Sequence, residues 1–149
     1  MAYMHQAQYY ETDQMGIIHH SNYIRWMEEA RIAYMDGMDF PYRKVEEAGI
    51  VSPVLAVECE YKSMTHFGDR ILIDVKLASF NGVKYTISYV MRDEKTGEVR
   101  AVGTSKHCYL DKSGRPVTLK KALPALYDKM KEALEADQEA LKSGQEERS

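Results

Sequence analysis

The hydrophobic pattern of the chain changes period three times. Residues 22–36 (NYIRWMEEARIAYMD) follow helical spacing: Tyr23, Trp26, Met27, Ala30, Ala33 and Tyr34 recur at steps of three and four and form one apolar stripe. Arg25, Glu29, Arg31 and Asp36 lie mostly off it. Ser21 or Asn22 suits the start of this helix and Gly37 suits the position after its end. Residues 41–48 predict one or two further turns, opened by Pro41 and closed by Gly49. From residue 54 the period becomes two. Leu55, Val57, Cys59 and Tyr61 share one face; so do Ile71, Ile73, Val75 and Leu77, and again Tyr85, Ile87, Tyr89 and Met91. Residues 99–110 predict another strand. Asn81-Gly82 and Lys95-Thr96-Gly97 are hairpin signals, and Ser113-Gly114 with Pro116 ends the run of strands. Over 120–141 the helical period returns, with Leu123, Leu126, Met130, Leu134 and Leu141 on one side, and Pro124 fits only near that helix's start. Residues 142–149 are expected to be a frayed, solvated tail. At the other end, residues 3–10 predict a first strand, and residues 11–21 carry turn chemistry around Gly16.

The expected order is a strand, a long helix, four β segments joined mainly by tight turns, and a C-terminal helix. That is an α+β domain. Consecutive hairpins make an antiparallel sheet, and the helix after the first strand has little but that sheet on which to bury its stripe. Ile71-Leu72-Ile73 and Tyr89-Val90-Met91 carry apolar residues on both faces. One face is expected to take the helix and the other to meet a second subunit.

Composition narrows the function classes. At 149 residues the chain is expected to form one domain over 1–149, and no internal repeat or linker divides it. The formal net charge of −3 argues against a surface built for nucleic-acid phosphates. No apolar run approaches the ~18 residues that cross a bilayer, and the N-terminus MAYMHQAQYY lacks a basic and apolar secretory leader. Cys59 and Cys108 have no CxxC partner, which excludes a zinc ribbon or thioredoxin-type motif. Two reduced thiols are expected, and a cytoplasmic location with them, although a Cys59–Cys108 bridge is chemically open.

The chemistry concentrates in residues 9–31, YYETDQMGIIHHSNYIRWMEEAR. Asp13 stands just before a helix start, where residues 19–23 supply unpaired backbone N–H groups and the dipole favours negative charge. The segment is similar to acyl-CoA thioesterases, and the thioester hydrolysis this resemblance implies needs an activated water or a nucleophile, a home for the carbonyl oxyanion, and an escape route for the thiolate. Thiols have pKa values near ~8.5, so the leaving group departs without strong acid assistance, and one carboxylate suffices with no metal. Asp13 can deprotonate water or attack the carbonyl directly, giving an acyl anhydride. Gly16 lets the substrate approach the backbone closely. Read without function, Asp13 is a turn or capping residue. His19-His20 as a metal pair is disfavoured, because adjacent side chains diverge and no third ligand follows at a clear spacing.

This segment resembles the 4-hydroxybenzoyl-CoA thioesterase group of hotdog-fold acyl-CoA thioesterases, including its YbgC-like branch. The resemblance lies in Thr12-Asp13, Gly16, Ile17-Ile18, His20, Asn22-Tyr23, Trp26, Glu28 and Arg31, with His66 to Asp69 (HFGD) downstream. It covers roughly residues 3–135. It implies a hotdog fold, an antiparallel sheet wrapped around residues 22–36. It implies hydrolysis of an acyl-CoA to acid and coenzyme A, with no cofactor beyond the coenzyme A of the substrate. Asp13 is then base or nucleophile, the N–H of His20 the oxyanion donor, and Gly16, Tyr23, Glu28 and His66 substrate-binding candidates. It also implies a homodimer or homotetramer, with the site between subunits. Where some relatives have Asp-Pro-Ala-Gly or Asp-Ala-Gly-Gly, this chain has the bulkier Asp13-Gln14-Met15-Gly16.

The residues themselves leave alternatives. Glu28 is otherwise a solvated helix carboxylate paired with Arg25 or Arg31, and His66 either caps its loop or lines the pantetheine channel. Lys62, Lys84, Arg100 and Lys106 are available to the coenzyme A phosphates or are simply solvated. An enoyl-thioester dehydratase or hydratase, or a non-catalytic acyl-CoA-binding module, are the rival functions.

Overall fold

The computed structural model describes residues 2–40 and 42–148, with side chains to residue 142. Five strands form one antiparallel sheet: β1 (Ala2–Gln6), β3 (Val54–Tyr61), β4 (Arg70–Phe80), β5 (Lys84–Asp93) and β6 (Val99–Cys108), in the order β1-β4-β5-β6-β3. A short pair, β2 (Ile50–Val51) with β7 (Leu110–Asp111), stands apart from it. Both anticipated hairpins are present, and their chemistry is local. Asn81 Oδ1 accepts the N–H groups of Val83 (2.9 Å) and Lys84 (2.7 Å), and Asp93 Oδ1 accepts those of Lys95 (2.9 Å) and Thr96 (3.0 Å).

The succession of hairpins stops there. β3 pairs with β6 and not with β4, because β1 occupies the free edge of β4 from Ala2↔Asp74 to Gln6↔Arg70. Strands adjacent in sequence therefore lie at opposite sides of the sheet, and segment 62–69 carries the chain across.

One row of each central strand is buried as its period predicts: Ile71, Ile73, Val75 and Leu77 on β4, and Tyr85, Ile87, Tyr89 and Met91 on β5. Helix α1 (Ser21–Asp36) lays Tyr23, Trp26, Met27, Ala30 and Tyr34 on this inner surface, in one core cluster. This is the expected hotdog arrangement. The fit is tight at Gly103 of β6, where a Cβ would stand 2.8 Å from Met27 Sδ and 2.7 Å from the Glu58 carbonyl oxygen. Edge strand β3 differs. Val54, Leu55, Val57 and Tyr61 are between 37% and 51% exposed, so the alternation there marks a strand without a buried face.

Several local expectations are corrected. The first strand ends at Gln6, and residues 9–11 form a 3₁₀ turn, because Glu11 folds back to accept the Gln8 N–H (2.8 Å). Residue His20, not Ser21 or Asn22, occupies the cap of α1. The Ser21 hydroxyl is engaged by His19 Nδ1 (2.9 Å), and the Asn22 amide donates back to the Glu11 carbonyl (2.9 Å). Gly37 stays right-handed at φ −66°, and Asp39 takes the left-handed conformation at φ 57°. Arg31 is buried rather than on the outer face. Helix α2 (Tyr42–Glu47) follows; the predicted role of Pro41 in opening it lies outside the described residues.

The C-terminal helical region is two helices, α3 (Leu119–Ala122) and α4 (Pro124–Arg148). Leu123 breaks them at φ −142°, ψ 74°, as expected of a residue forced out of the α region by the proline after it. Leu126 and Met130 of α4 complete the core, and Asp137 accepts the Leu77 N–H (2.9 Å) and the Tyr34 hydroxyl, fastening α4 to β4 and α1. The α4 backbone runs on to Arg148; the side chains beyond 142, where solvation of the tail would be judged, lie outside the described residues. Both cysteines are free. Among the described residues no helix is long and apolar enough to cross a membrane.

Candidate active site

The loop between the 3₁₀ turn and α1 is held from both ends. At its start, Glu11 is 5% exposed and makes several bonds at once. Its carboxylate accepts the Trp26 indole N–H (2.7 Å) and the Gln8 N–H (2.8 Å), and pairs with His5 Nε2 (2.9 Å). Burial opposes the charge, but the bonds to His5, Trp26 and the Gln8 N–H outweigh it and hold the carboxyl below its usual range. The Glu11 carbonyl receives the His19 N–H (2.8 Å) and the Asn22 amide, which joins the loop's start to the first turn of α1. At the far side, the Ile18 N–H donates to the Thr65 carbonyl (2.8 Å) and Ile17 bridges to His66, so segment 62–69 braces the loop.

Within that frame Asp13 closes a tight turn. Its N–H donates to the Ile17 carbonyl (2.8 Å), its carbonyl accepts the Gly16 N–H (3.1 Å), and Gly16 adopts φ +78°, a conformation that side chains disfavour. Asp13 Oδ1 accepts the Met15 N–H at 2.7 Å and the Ile17 N–H at 3.4 Å. Oδ2 has no protein partner among the described residues. One oxygen is anchored and the other is available.

His20 begins α1. Its carbonyl accepts the Tyr61 hydroxyl of β3 (3.3 Å), its ring stacks on His19 (4.3 Å between centroids), and its own N–H meets no acceptor among the described residues. Tyr23, one turn on, donates its hydroxyl to Thr65 Oγ1 (3.0 Å), and burial raises its pKa, so it remains a neutral phenol. Asp13, His20 and Tyr23 line one cleft of about 430 Å³ together with Tyr61 and Lys62.

The remaining candidates sit elsewhere. Gly16 shapes the loop. His66 is largely exposed, donates its N–H to Asp69 Oδ2 (2.8 Å), and brings its ring nitrogen within 3.9 Å of the same oxygen, which is the loop-capping geometry. Glu28 lies further along α1, mostly exposed and 3.5 Å from Arg31, on a second and smaller cleft. Among the described residues no group of His, Cys, Asp and Glu is arranged to hold a metal ion. Sequence reasoning missed Glu11, Thr65 and Tyr61. Glu11 stands two residues before Asp13, but neither hydrophobic period nor spacing marks a buried carboxylate; its pairing with Trp26 spans 15 residues.

Residues 8–134 match the family model of the thioesterase-like superfamily. The chain belongs to the thioesterase-like superfamily. The expected class of enzyme, a thioester hydrolase, stands with that membership. Among superfamily relatives, YneP of Bacillus subtilis (strain 168), provisionally named an acyl-CoA thioesterase, is 35% identical over 130 residues, 85% of this chain and 94% of YneP. The 1,4-dihydroxy-2-naphthoyl-CoA hydrolase of Synechococcus sp. (strain CC9605) is 24% identical over 112 residues, 70% of this chain and 73% of that protein. The DHNA-CoA thioesterase of Staphylococcus aureus superposes with a TM-score of 0.87 at 26% identity, covering 93% of each chain. Thioesterase-like superfamily members thus share this chain's fold over nearly its whole length.

Proposed function

We propose that the protein hydrolyses an acyl-CoA thioester to the free acid and coenzyme A at the Asp13–His20 cleft. The observation that carries this reading is the division of labour within the Asp13 carboxylate. Oδ1 is tied by backbone N–H groups, while Oδ2 is left for a water or for the carbonyl carbon itself. As general base, Oδ2 takes a proton from water, and the water oxygen bonds to the thioester carbon. The carbonyl oxygen becomes an oxyanion received by the His20 N–H, where the helix dipole favours negative charge. Collapse of that intermediate breaks the C–S bond, and coenzyme A leaves as the thiolate. The direct-attack route uses the same oxygen and the same oxyanion site. No metal takes part in either.

A site open along β3 is covered by a second copy of the chain in this reading. β3 is an edge strand with exposed apolar residues on both faces, a surface suited to continuing the sheet into a partner. The two free cysteines support a reducing, cytoplasmic location. The test is free-thiol release from a panel of aromatic and aliphatic acyl-CoAs, run beside an absorbance assay for loss of an enoyl-CoA. Thiol release on at least one substrate, without enoyl loss, supports hydrolysis. Enoyl loss alone makes this a dehydratase or hydratase, and ligand binding with neither makes it a binding module.

A further inference from the structure

The first strand carries a histidine on its inner face. The register sets His5 of β1 opposite Ile71 of β4, a fully buried position, and the His5 side chain is 13% exposed. Its ring lies against Trp26 of α1, with centroids 4.5 Å apart. Both ring nitrogens meet carboxylates. Nε2 is 2.9 Å from Glu11 Oε1, and Nδ1 is 3.2 Å from Glu29 Oε2 on α1. Glu29 Oε2 also accepts the Tyr3 hydroxyl (3.1 Å), and Glu11 Oε2 accepts the Trp26 indole N–H. From β4 the ring is faced by apolar Ile71. Arg70, next to it, falls on the other face of the strand and pairs with Glu94 at 2.6 Å. Among the described residues, Glu11, Glu29 and Tyr3 are therefore the titratable groups around His5.

This arrangement sets the charge of the ring. An ionised carboxylate only accepts hydrogen bonds, and a neutral imidazole has one donor nitrogen and one acceptor. A neutral His5 satisfies one carboxylate and turns a lone pair towards the other. Only the imidazolium, a donor at both nitrogens, completes both contacts. A proton on Glu11 instead is disfavoured, because that carboxylate already accepts the Trp26 and Gln8 N–H groups, which favour its charged form. Glu29 is half-exposed, and water stabilises its charge. The two carboxylates also lead in different directions. Glu11 opens the Asp13 loop, and its carbonyl receives the His19 N–H (2.8 Å) and the Asn22 amide (2.9 Å). Glu29 stands on the third turn of α1, the helix that begins at the other end of that loop.

We propose that His5 is a positioning residue for the thioesterase reaction: as an imidazolium shared by Glu11 and Glu29, it holds the Asp13 loop in its working geometry, and the loop loosens when the ring gives up its proton. The inference rests on the acyl-CoA reading of the Asp13 cleft and adds to it a group that touches neither the substrate nor the reacting atoms. On deprotonation the ring keeps one N–H, and one of the two carboxylates loses its donor. A carboxylate base alone gives a rate that rises with pH to a plateau. The His5 clamp adds a fall on the alkaline side, because histidine exchanges its proton near neutral pH.

Three measurements on the full-length protein test this. The ring nitrogen chemical shifts of His5 should report two protonated nitrogens at and just below neutral pH. Hydrogen exchange at the His19 amide, which bonds to the Glu11 carbonyl, should quicken in His5→Phe and, beyond the intrinsic effect of pH, in wild type at alkaline pH. Turnover of an acyl-CoA that wild type hydrolyses should fall about tenfold in His5→Phe, through kcat rather than KM, and the alkaline limb should vanish. Glu29→Gln changes a half-exposed position, so a folding defect in the His5 variant does not decide the matter. Its amide can donate to a neutral ring nitrogen, and its alkaline limb should flatten, which a merely structural His5 would not cause. A ring with one protonated nitrogen below neutral pH, wild-type kcat in His5→Phe, or an unchanged alkaline limb in Glu29→Gln overturns the proposal. A doubly protonated ring that protects the His19 amide, without hydrolysis of any acyl-CoA, would instead count against the proposed reaction.

Discussion

The Trp26 indole N–H donates to Glu11 Oε2 at 2.7 Å, out of contact with solvent. This bond ties the core face of α1 to the residue that opens the Asp13 loop, and the same carboxylate holds the Gln8 N–H and His5. Removing it strands the buried Trp26 N–H and the half-buried Gln8 N–H. Glu11→Ala is expected to cost roughly 1–3 kcal/mol for each donor left unpaired, read from urea denaturation midpoints. Glu11→Gln keeps the shape but loses the charge-assisted bonds, and should fall between the two. Because Glu11 also positions the start of the loop, the Gln variant is expected to lower kcat more than it raises KM.

At Gly103 the helix side chain Met27 packs directly against the strand backbone. A Cβ there would meet the Glu58 carbonyl at 2.7 Å, and a carbonyl in a strand pair cannot step aside. Gly103→Ala should destabilise the fold by about 1–3 kcal/mol through overpacking. A Met27→Ala second-site change, which clears the other contact at 2.8 Å, should not restore it, since the strand carbonyl remains. Thermal unfolding of the single and double variants checks both statements.

His107 links folding to pH. Its folded pKa is depressed from 6.5 to about 4, by burial first and Arg31 second. The unfolded chain therefore binds a proton at higher pH than the folded one. Stability from this group is fully present above pH 6.5 and is lost as pH falls from 6.5 towards 4. The loss reaches about 2–3 kcal/mol. Denaturation midpoints of His107→Leu should be flatter than wild type across that window. Equal slopes for both proteins would show that His107 does not carry this dependence.

Much of this molecule is legible in the sequence, and what is not legible has physical reasons. β4 and β5 announce themselves because one face of each is wholly buried, so period two is strong at Ile71 to Leu77 and Tyr85 to Met91. The hairpins are readable because Asn81 and Asp93 bond to their own backbone. The placement of β3 beside β6 is not readable, because pairing across the sheet is settled by which edge β1 occupies. Arg31 was expected on the outer face from charge alone, yet it lies buried with the Tyr85 hydroxyl 3.3 Å away. Asp13, Tyr23 and His20 line one cleft, while Glu28 lies on another and His66 braces its own loop. Glu11 and the Ser105–His107 pair escape sequence reasoning, because a buried polar network has no period.

The exposed apolar residues of β3 predict self-association. Val57 is 37% exposed and Leu55 51%, on a strand with one free edge. Wild type should sediment as a dimer or tetramer. Placing a charge at the seam, as in Leu55→Asp, should shift it towards monomer, with a matching loss of activity if the site lies between subunits. Sedimentation velocity over a range of protein concentrations makes the comparison.

The most direct test of the account is steady-state thiol release by Asp13→Asn beside wild type, on whichever acyl-CoA wild type turns over. Asparagine keeps the shape of the side chain and an anchored Oδ1, but it offers neither a base nor a nucleophile. A fall in kcat of about 10²–10⁴-fold, with folding and assembly unchanged, is predicted. Equal turnover by the two proteins would contradict the role given to Asp13 and move the chemistry to another part of the groove.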